Sequence, residues 1–439
     1  MDTSSDLRTP TEMMIERARR VIPNGASSAW RSVHGEAVVR AKGAYLWNAE
    51  GRRYIDCLCA WGPIVIGHCD PRVNQAVLDV MNTVDLNAVC HHVGEVELAE
   101  AICEVMPSAE KVAFCQSGTD TTLHAVHAVR AFTGKLKLLK FHGSYHGWHD
   151  ALAVGVRYNA AGARGRGLTD PEGAGLHPGP LHDVIVADWN DLAAVTDIFA
   201  RHADELAGVV CEPYAQGFGC VAPAPGFLEG IRKLCTEHHV PLVFDEVKTG
   251  FRHHVGGYQA LCGVIPDVTA FSKALGNGFA IGGVAGSAEI MSVFEIGHNG
   301  MEAVWDGTSN SSPYAMAAGR ATLQILRDGG IDRLNALGER MREGLREAVR
   351  STGAVATVTG VGASWMVYFL PQAPTNYRQA LLNNGKQATI YNRAMREAGI
   401  MEPLVGLGDR RLCLAMTEDD VDETVAASRR ALMKAKDAQ

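Results

Sequence analysis

No apolar stretch in the 439 residues approaches the roughly 20 that a helix needs to cross a bilayer, so no membrane span is expected. Neither G-x-G-x-x-G nor G-x-x-x-x-G-K-[ST] occurs; Gly276-Asn277-Gly278 and Gly360-Val361-Gly362 both fail to complete the pattern, which argues against a nucleotide-dependent dehydrogenase. The 11 cysteines include no C-x-x-C pair, and Cys57-x-Cys59 is too tight for the common zinc pattern. The histidines of His142 to His149 have no acidic or cysteine ligand placed to complete a set, so no metal is expected. An odd, scattered set of cysteines suggests reduced thiols in a cytoplasmic protein. No basic run exceeds a few residues and the net charge is −8, so a nucleic-acid partner is not expected. The start, Met1 to Asp6, has neither a basic region nor an apolar core, which argues against a secretory signal. There is no internal repeat and no low-complexity tract.

What is present is ordinary globular composition, 47% apolar and 21% charged, in a chain too long for one core. An amphipathic helix, Thr11 to Val21, precedes short strands at Ala37 to Arg40, Ala44 to Trp47 and Arg53 to Asp56, which read as a small antiparallel sheet. Helices then alternate with short apolar runs: Lys111 to Phe114, Leu136 to Phe141, Asp183 to Ala187, Gly208 to Cys211, Leu242 to Phe244 and Val268 to Phe271. That alternation predicts parallel strands with crossover helices, hence a large α/β domain. Residues 157 to 181, rich in glycine, proline and arginine, read as a long loop. An α+β tail follows, with helices at Asp332 to Arg350, Gln387 to Ala398 and from Glu418, and strands at Ala354 to Thr359, Ser364 to Phe369 and Arg411 to Ala415. The expected division is 1–60 as N-terminal segment and part of a small domain, 61–326 as the large domain, and 327–439 as the C-terminal small domain.

The chemistry collects where strands end. Val240 to Phe244 stops at Asp245-Glu246, and Val268 to Phe271 delivers Ser272-Lys273 to a similar place. In open α/β sheets, ligands bind outside the carboxyl ends of the strands. An acid and an amine there suit pyridoxal phosphate (PLP), the amine as Schiff base and the acid against the pyridine nitrogen. Ser117-Gly118-Thr119, after one strand and opening the helical run Asp120 to Phe132, offers free amides and hydroxyls to a phosphate, though helix capping explains the same residues. Tyr145, between Gly143 and Gly147, has room to stack on a ring. Glu212-Pro213 closes another strand at the same edge and either faces substrate or simply ends the strand. The doublets His91-His92, His238-His239 and His253-His254 read as surface or loop pairs.

Taken together these motifs resemble the class III PLP-dependent aminotransferases of fold type I, in the branch of glutamate-1-semialdehyde 2,1-aminomutase and the β-amino-acid and D-phenylglycine aminotransferases. The resemblance runs from about Arg17 to the C-terminus. It rests on Tyr45-Leu46-Trp47, Tyr54-Ile55-Asp56, Trp61-Gly62-Pro63, Gly67-His68, Ser117-Gly118-Thr119, Tyr145-His146-Gly147, Glu212-Pro213, Asp245-Glu246-Val247-x-Thr249-Gly250-Phe251-Arg252, Ser272-Lys273 and Gly307-Thr308. It implies a large domain with a mostly parallel sheet and a small α+β domain built from both termini. It implies Lys273 as the Schiff-base and proton-shuttle residue and Asp245 as the partner of the pyridine nitrogen. It further implies Val247 under one ring face and Tyr145 on the other, with Ser117, Gly118, Thr119, His146 and Glu212 in the cofactor site. Thr308 would reach the phosphate from a second subunit, making a homodimer obligatory. Arg31 and Trp61 fall where this branch faces its substrate. Ser311-Ser312 in place of Gly-Asn, the absence of a glutamate-bearing stretch between Pro403 and Arg411, and a dissimilar 157–181 loop all depart from the aminomutase. The expected activity is ping-pong transfer from an amino acid or amine donor to a keto acid; an intramolecular aminomutase and a non-catalytic PLP-binding protein are the alternatives.

Overall fold

The computed structural model describes residues 8–87, 89–156, 173–177, 179–404 and 406–437, so most of the long loop read at 157–181 lies outside the described residues. The N-terminal segment carries helices α1 (Pro10–Val21) and α2 (Ala29–His34) and strands β1 (Val38–Lys42), β2 (Tyr45–Asn48) and β3 (Arg53–Asp56). The large α/β unit follows with α3 (Pro71–Met81), α4 (Val93–Val105), β4 (Lys111–Cys115), α5 (Gly118–Thr133), β5 (Lys137–Phe141), β6 (Val184–Ala187), α6 (Leu192–His202), β7 (Leu206–Cys211), α7 (Phe227–Glu237), β8 (Leu242–Asp245), α8 (Gly257–Cys262), β9 (Val268–Phe271), β10 (Gly282–Gly286), α9 (Ala288–Met291) and α10 (Pro313–Ile325). The rest comprises α11 (Ile331–Thr352), β11 (Thr357–Val361), β12 (Ser364–Tyr368), α12 (Tyr377–Ala380), α13 (Gly385–Glu397), β13 (Ile400–Met401), β14 (Arg410–Arg411) and α14 (Glu418–Lys436).

Seven strands form the central sheet in the order β4-β10-β9-β8-β7-β5-β6. All neighbours pair in parallel except those of β10, which runs antiparallel to both β4 and β9. Every residue of β7, β8 and β9 is buried, as continuous apolar runs in a sheet covered on both faces should be. The β10 strand has no counterpart in the sequence pattern, because Gly282-Gly283-Val284-Ala285-Gly286 lacks the side chains that mark a strand. Its glycines answer to packing: a Cβ on Gly283 would lie 2.4 Å from Phe271 Cζ, and one on Gly282 would lie 2.5 Å from Thr121 Oγ1. The strand is therefore bare so that α5 and β9 can close on it.

The small N-terminal sheet is antiparallel as expected for β1 to β3, but β13 from the C-terminal part adds to it in parallel, pairing Ile400 with Ile55. The strand read at Arg411 to Ala415 is only two residues long as a ladder; beyond it the chain runs extended, its Leu414 and Ala415 amides donating to the Val65 and Ile66 carbonyls. One apolar cluster joins terminal and central elements, including Ile55, Phe271, Leu334, Met395 and Leu432. Arg252, wholly buried, ties the same seam by donating to the carbonyls of Gly62, Ile64 and Leu412. Its neighbour His253 lies in a turn, one of the two expected settings, but is buried rather than on the surface because it follows Arg252 into that seam. No helix among the described residues is long and apolar enough to cross a membrane.

Candidate active site

Five strands of the central sheet, β4, β5, β7, β8 and β9, point their carboxyl ends to one edge, and the residues that follow each line a cavity of about 270 Å³. Its wall contains Ser117, Gly118 and Thr119 after β4, Tyr145 and His146 after β5, Glu212 after β7, Asp245 and Val247 at the end of β8, and Lys273 after β9. The structure thus gathers nine of the expected site residues at one place.

Asp245 and Glu246 separate cleanly by environment. Asp245 Oδ1 accepts the Val247 amide at 3.0 Å, and Oδ2 lies 2.6 Å from His146 Nδ1, the imidazole donating to the carboxylate. The Asp245 carboxylate is thereby fixed at the cavity wall. Glu246 turns away into the protein. Its carboxylate accepts the Thr249 hydroxyl, the Tyr258 and Gln259 amides and the Gln259 side-chain amide, which anchors the start of α8. His146 is held in turn by Thr122 of α5, whose hydroxyl donates to the His146 carbonyl at 2.6 Å.

Lys273 sits at φ 41°, a left-handed backbone that a non-glycine residue rarely adopts. Ser272 locks the approach by donating to the Ile281 carbonyl at 2.6 Å. Facing it, Cys59, Ala60 and Trp61 are also left-handed, at φ 47°, 53° and 65°, so strain concentrates around this amine. A Cβ on Gly62 would approach Lys273 Cδ to 3.1 Å, which brings the Trp61-Gly62 turn directly against the lysine stem. Burial first, then the Lys248 ammonium, draws the Lys273 amine down to about 7, with Asp245 opposing the shift.

At the start of α5, Ser117 caps the helix by accepting the Asp120 amide while its hydroxyl donates to Asp120 Oδ2, which is the capping reading of Ser-Gly-Thr. The α5 N-terminus, sixteen residues of aligned dipole behind it, opens into the cavity. A Cβ on Gly118 would lie 2.7 Å from Val247 Cγ1, so glycine there keeps the floor open. Tyr145 is half exposed at the mouth beside Trp148. Glu212 accepts the Gln216 and Gly217 amides, and its burial pushes the carboxyl above its usual range.

Three expected residues lie outside this lining. Trp61 adjoins it through Gly62 and meets His34 of α2 edge to face at 6.3 Å. Arg31 is exposed on the same short helix. Thr308 lines a separate cavity of about 340 Å³ with Leu86, Val89, Cys90, His92 and Trp305. Lys248 also lines the Lys273 cavity, with the buried Asp409–Arg411 pair behind it, and neither is among the residues expected from the sequence. Lys248 stood only as the variable position between Val247 and Thr249; the charge run Asp409-Arg410-Arg411 in an apolar setting was the available signal. Among the described residues no group of three or more His, Cys, Asp or Glu side chains is arranged to hold a metal ion.

Comparison with known proteins agrees with this geometry. The family model for class III aminotransferases matches residues 27–425. A glutamate-1-semialdehyde 2,1-aminomutase of Brevibacillus brevis is 34% identical over 434 residues, 98% of this chain and 99% of the relative. The crystal structure of an omega-transaminase from Sphaerobacter thermophilus superimposes with a TM-score of 0.91 at 32% identity, over 98% of each chain. A transaminase with PLP bound superimposes with a TM-score of 0.86 at 28% identity, over 97% of each chain. The residues present fit that cofactor: an amine near neutrality, a carboxylate fixed by two donors, a helix N-terminus, and an open floor where Gly118 meets Val247. The fold is fold type I, and the chain belongs to the class III aminotransferases as a PLP-dependent enzyme.

Proposed function

We propose that this enzyme moves an amino group from an amino acid or amine donor to a keto-acid acceptor in two half-reactions, with Lys273 and Asp245 as its catalytic residues. The observation that carries the reading is the convergence, on one cavity, of a lysine amine drawn to about 7 and a carboxylate held by an imidazole and a backbone amide. When bound, PLP supplies an electron sink for the carbanion at the substrate carbon. Asp245, oriented by His146 and the Val247 amide, would keep a proton on the ring nitrogen of the bound cofactor. Lys273 Nζ would hold the cofactor through its amine, and the same nitrogen, when free and neutral, would accept the proton of the substrate carbon and return it to the bound cofactor and substrate. The amides of Gly118 and Thr119 would receive the phosphate, with Ser117 holding the helix start in place through its cap on Asp120. Val247 and Tyr145 would bear on the ring from the cavity wall that Glu212 also lines.

Arg31 and Trp61 are assigned to the substrate side, Arg31 as a carboxylate clamp, since α2 reaches the lysine wall through the His34–Trp61 contact. A homodimer completes the phosphate site with Thr308 of the partner subunit. The cavity around Thr308 is lined by exposed Leu86 and Val89, and exposed Val93 and Val304 adjoin its lining residues His92 and Trp305 in sequence, apolar surface suited to association. Eleven free thiols suit a cytoplasmic setting. The aminomutase reading is kept as a second one because the Brevibacillus brevis relative carries that name. The discriminating experiment is turnover of a candidate donor with and without an added keto acid. Strict dependence on the acceptor supports transamination; a single substrate consumed without any acceptor supports the aminomutase.

A further inference from the structure

Lys248 is an ionisable lining residue of the Lys273 cavity to which the proposed chemistry gives no role. It is not a solvated surface lysine. Its side chain is 19% exposed, and Nζ donates to the Gln216 carbonyl at 2.6 Å and to Asp409 Oδ1 at 3.2 Å. Gln216 is itself fixed, its amide donating to Glu212 Oε2, and the loop bearing Lys248 is fixed by the Val247 amide on Asp245. The ammonium therefore has a set position rather than a range of rotamers.

The neighbourhood is arranged as alternating charge. Asp409, fully buried, is paired on one side with Arg411 and on the other with Lys248. Burial opposes ionisation of this carboxyl, yet the two cations hold it down at about 2, so it is charged throughout the working range. Asp409 is thus shared between two cations, and among the charges that bear on Lys273 the Lys248 ammonium acts most strongly, against a proton there. The charged groups that bear on Lys273 are Asp245 from the end of β8, Lys248 from the loop after it, and Arg411 and Asp409 from β14 and its approach. The Trp61-Gly62 turn packed on the lysine stem brings no charge. Asp245 and Asp409 favour a proton on Lys273, but Asp245 is already engaged by His146 and Asp409 by Arg411 and Lys248.

We propose that Lys248 is a positioning residue for Lys273: its fixed ammonium disfavours a proton on the Lys273 nitrogen and so keeps that nitrogen available as a nucleophile. The inference rests on the reading of Lys273 as the cofactor-bearing amine. A neighbouring positive charge acts on the nitrogen whether it is free or joined to the cofactor, because in both cases protonation adds a cation. Removing the charge must therefore raise the pH at which the lysine-bound cofactor loses its proton.

The experiment is a spectroscopic pH titration of the PLP-loaded enzyme, following the visible absorbance band without substrate, for wild type, Lys248→Met and Lys248→Arg. Lys248→Met is expected to raise the midpoint by about one pH unit, the size of an interaction across several ångströms of partly desolvated protein. Lys248→Arg, which keeps the charge and the reach to Asp409, is expected to restore the midpoint to near wild type. Lys248→Gln repeats the neutral test if the methionine variant does not fold, since its amide can still donate to the Gln216 carbonyl. An unchanged midpoint in the neutral variants, or an equal shift in Lys248→Arg, overturns the proposal while leaving the cofactor reading intact. Absence of any visible band in wild type overturns the cofactor reading, and this inference with it.

Discussion

The environment of Lys273 makes a quantitative prediction about how the protein without cofactor captures PLP. A lysine at its ordinary value of 10.5 is almost entirely protonated at neutral pH, whereas the amine at about 7 is close to half neutral there. The neutral fraction near pH 7 is larger on the order of a thousand-fold, since each unit is a factor of ten. Only the neutral amine attacks an aldehyde. The rate of capture, followed as growth of the visible band after mixing the apo protein with PLP, should therefore rise through a midpoint of about 7 and level off by about pH 8. A rate that climbs without a plateau toward pH 10 would refute the reasoning, because it would show an amine titrating as if solvated. The same shift has a stability consequence. Between about 7 and 10.5 the unfolded chain holds the proton that the folded apo protein does not, so this group makes the apo protein more stable as pH rises through that window.

Further substitutions test the separate roles. Lys273→Ala should abolish the visible band while leaving the fold intact by circular dichroism. Asp245→Asn should still bind PLP but lose turnover by on the order of a hundred-fold or more, measured under single-turnover conditions. Glu246→Ala, adjacent in sequence, should instead destabilise by at least about 2 kcal/mol through four stranded donors. It should show as a lower melting temperature with the absorbance midpoint unchanged. If Thr308 acts across a dimer, mixing inactive Lys273→Ala with impaired Thr308→Val subunits should recover activity through the one mixed site that has both residues; mixtures no more active than their parts would remove the shared-site assignment.

Much of this architecture could be read in the chain before any coordinates. Strands buried on both faces announce themselves as apolar runs, and Asp245 and Lys273 stand where such runs stop. The helix start at Ser117-Gly118-Thr119, the proposed phosphate site, was legible because capping and anion binding use the same free amides. What escaped did so for physical reasons. The β10 strand is formed by glycines whose absent side chains make room for Phe271 and Thr121, so no propensity marks it. The β13 and β14 ladders are two residues each, too short for a period to show. Whether Asp245 or Glu246 faced the cavity is not a property of the dipeptide; it depends on which carboxylate meets His146 and which meets the start of α8. Lys248 gained meaning only when β14 brought Asp409 to it from 161 residues away.

The most direct test of the account is absorbance of the purified protein before and after a panel of amino acids and amines is added with no keto acid present. The account predicts a band in the visible or near-ultraviolet that is lost to shorter wavelength with at least one donor, and that returns when a keto acid is supplied. A protein that shows no such band even after soaking with PLP would contradict it, and Lys273 and Asp245 would then need another explanation for their place on one cavity wall.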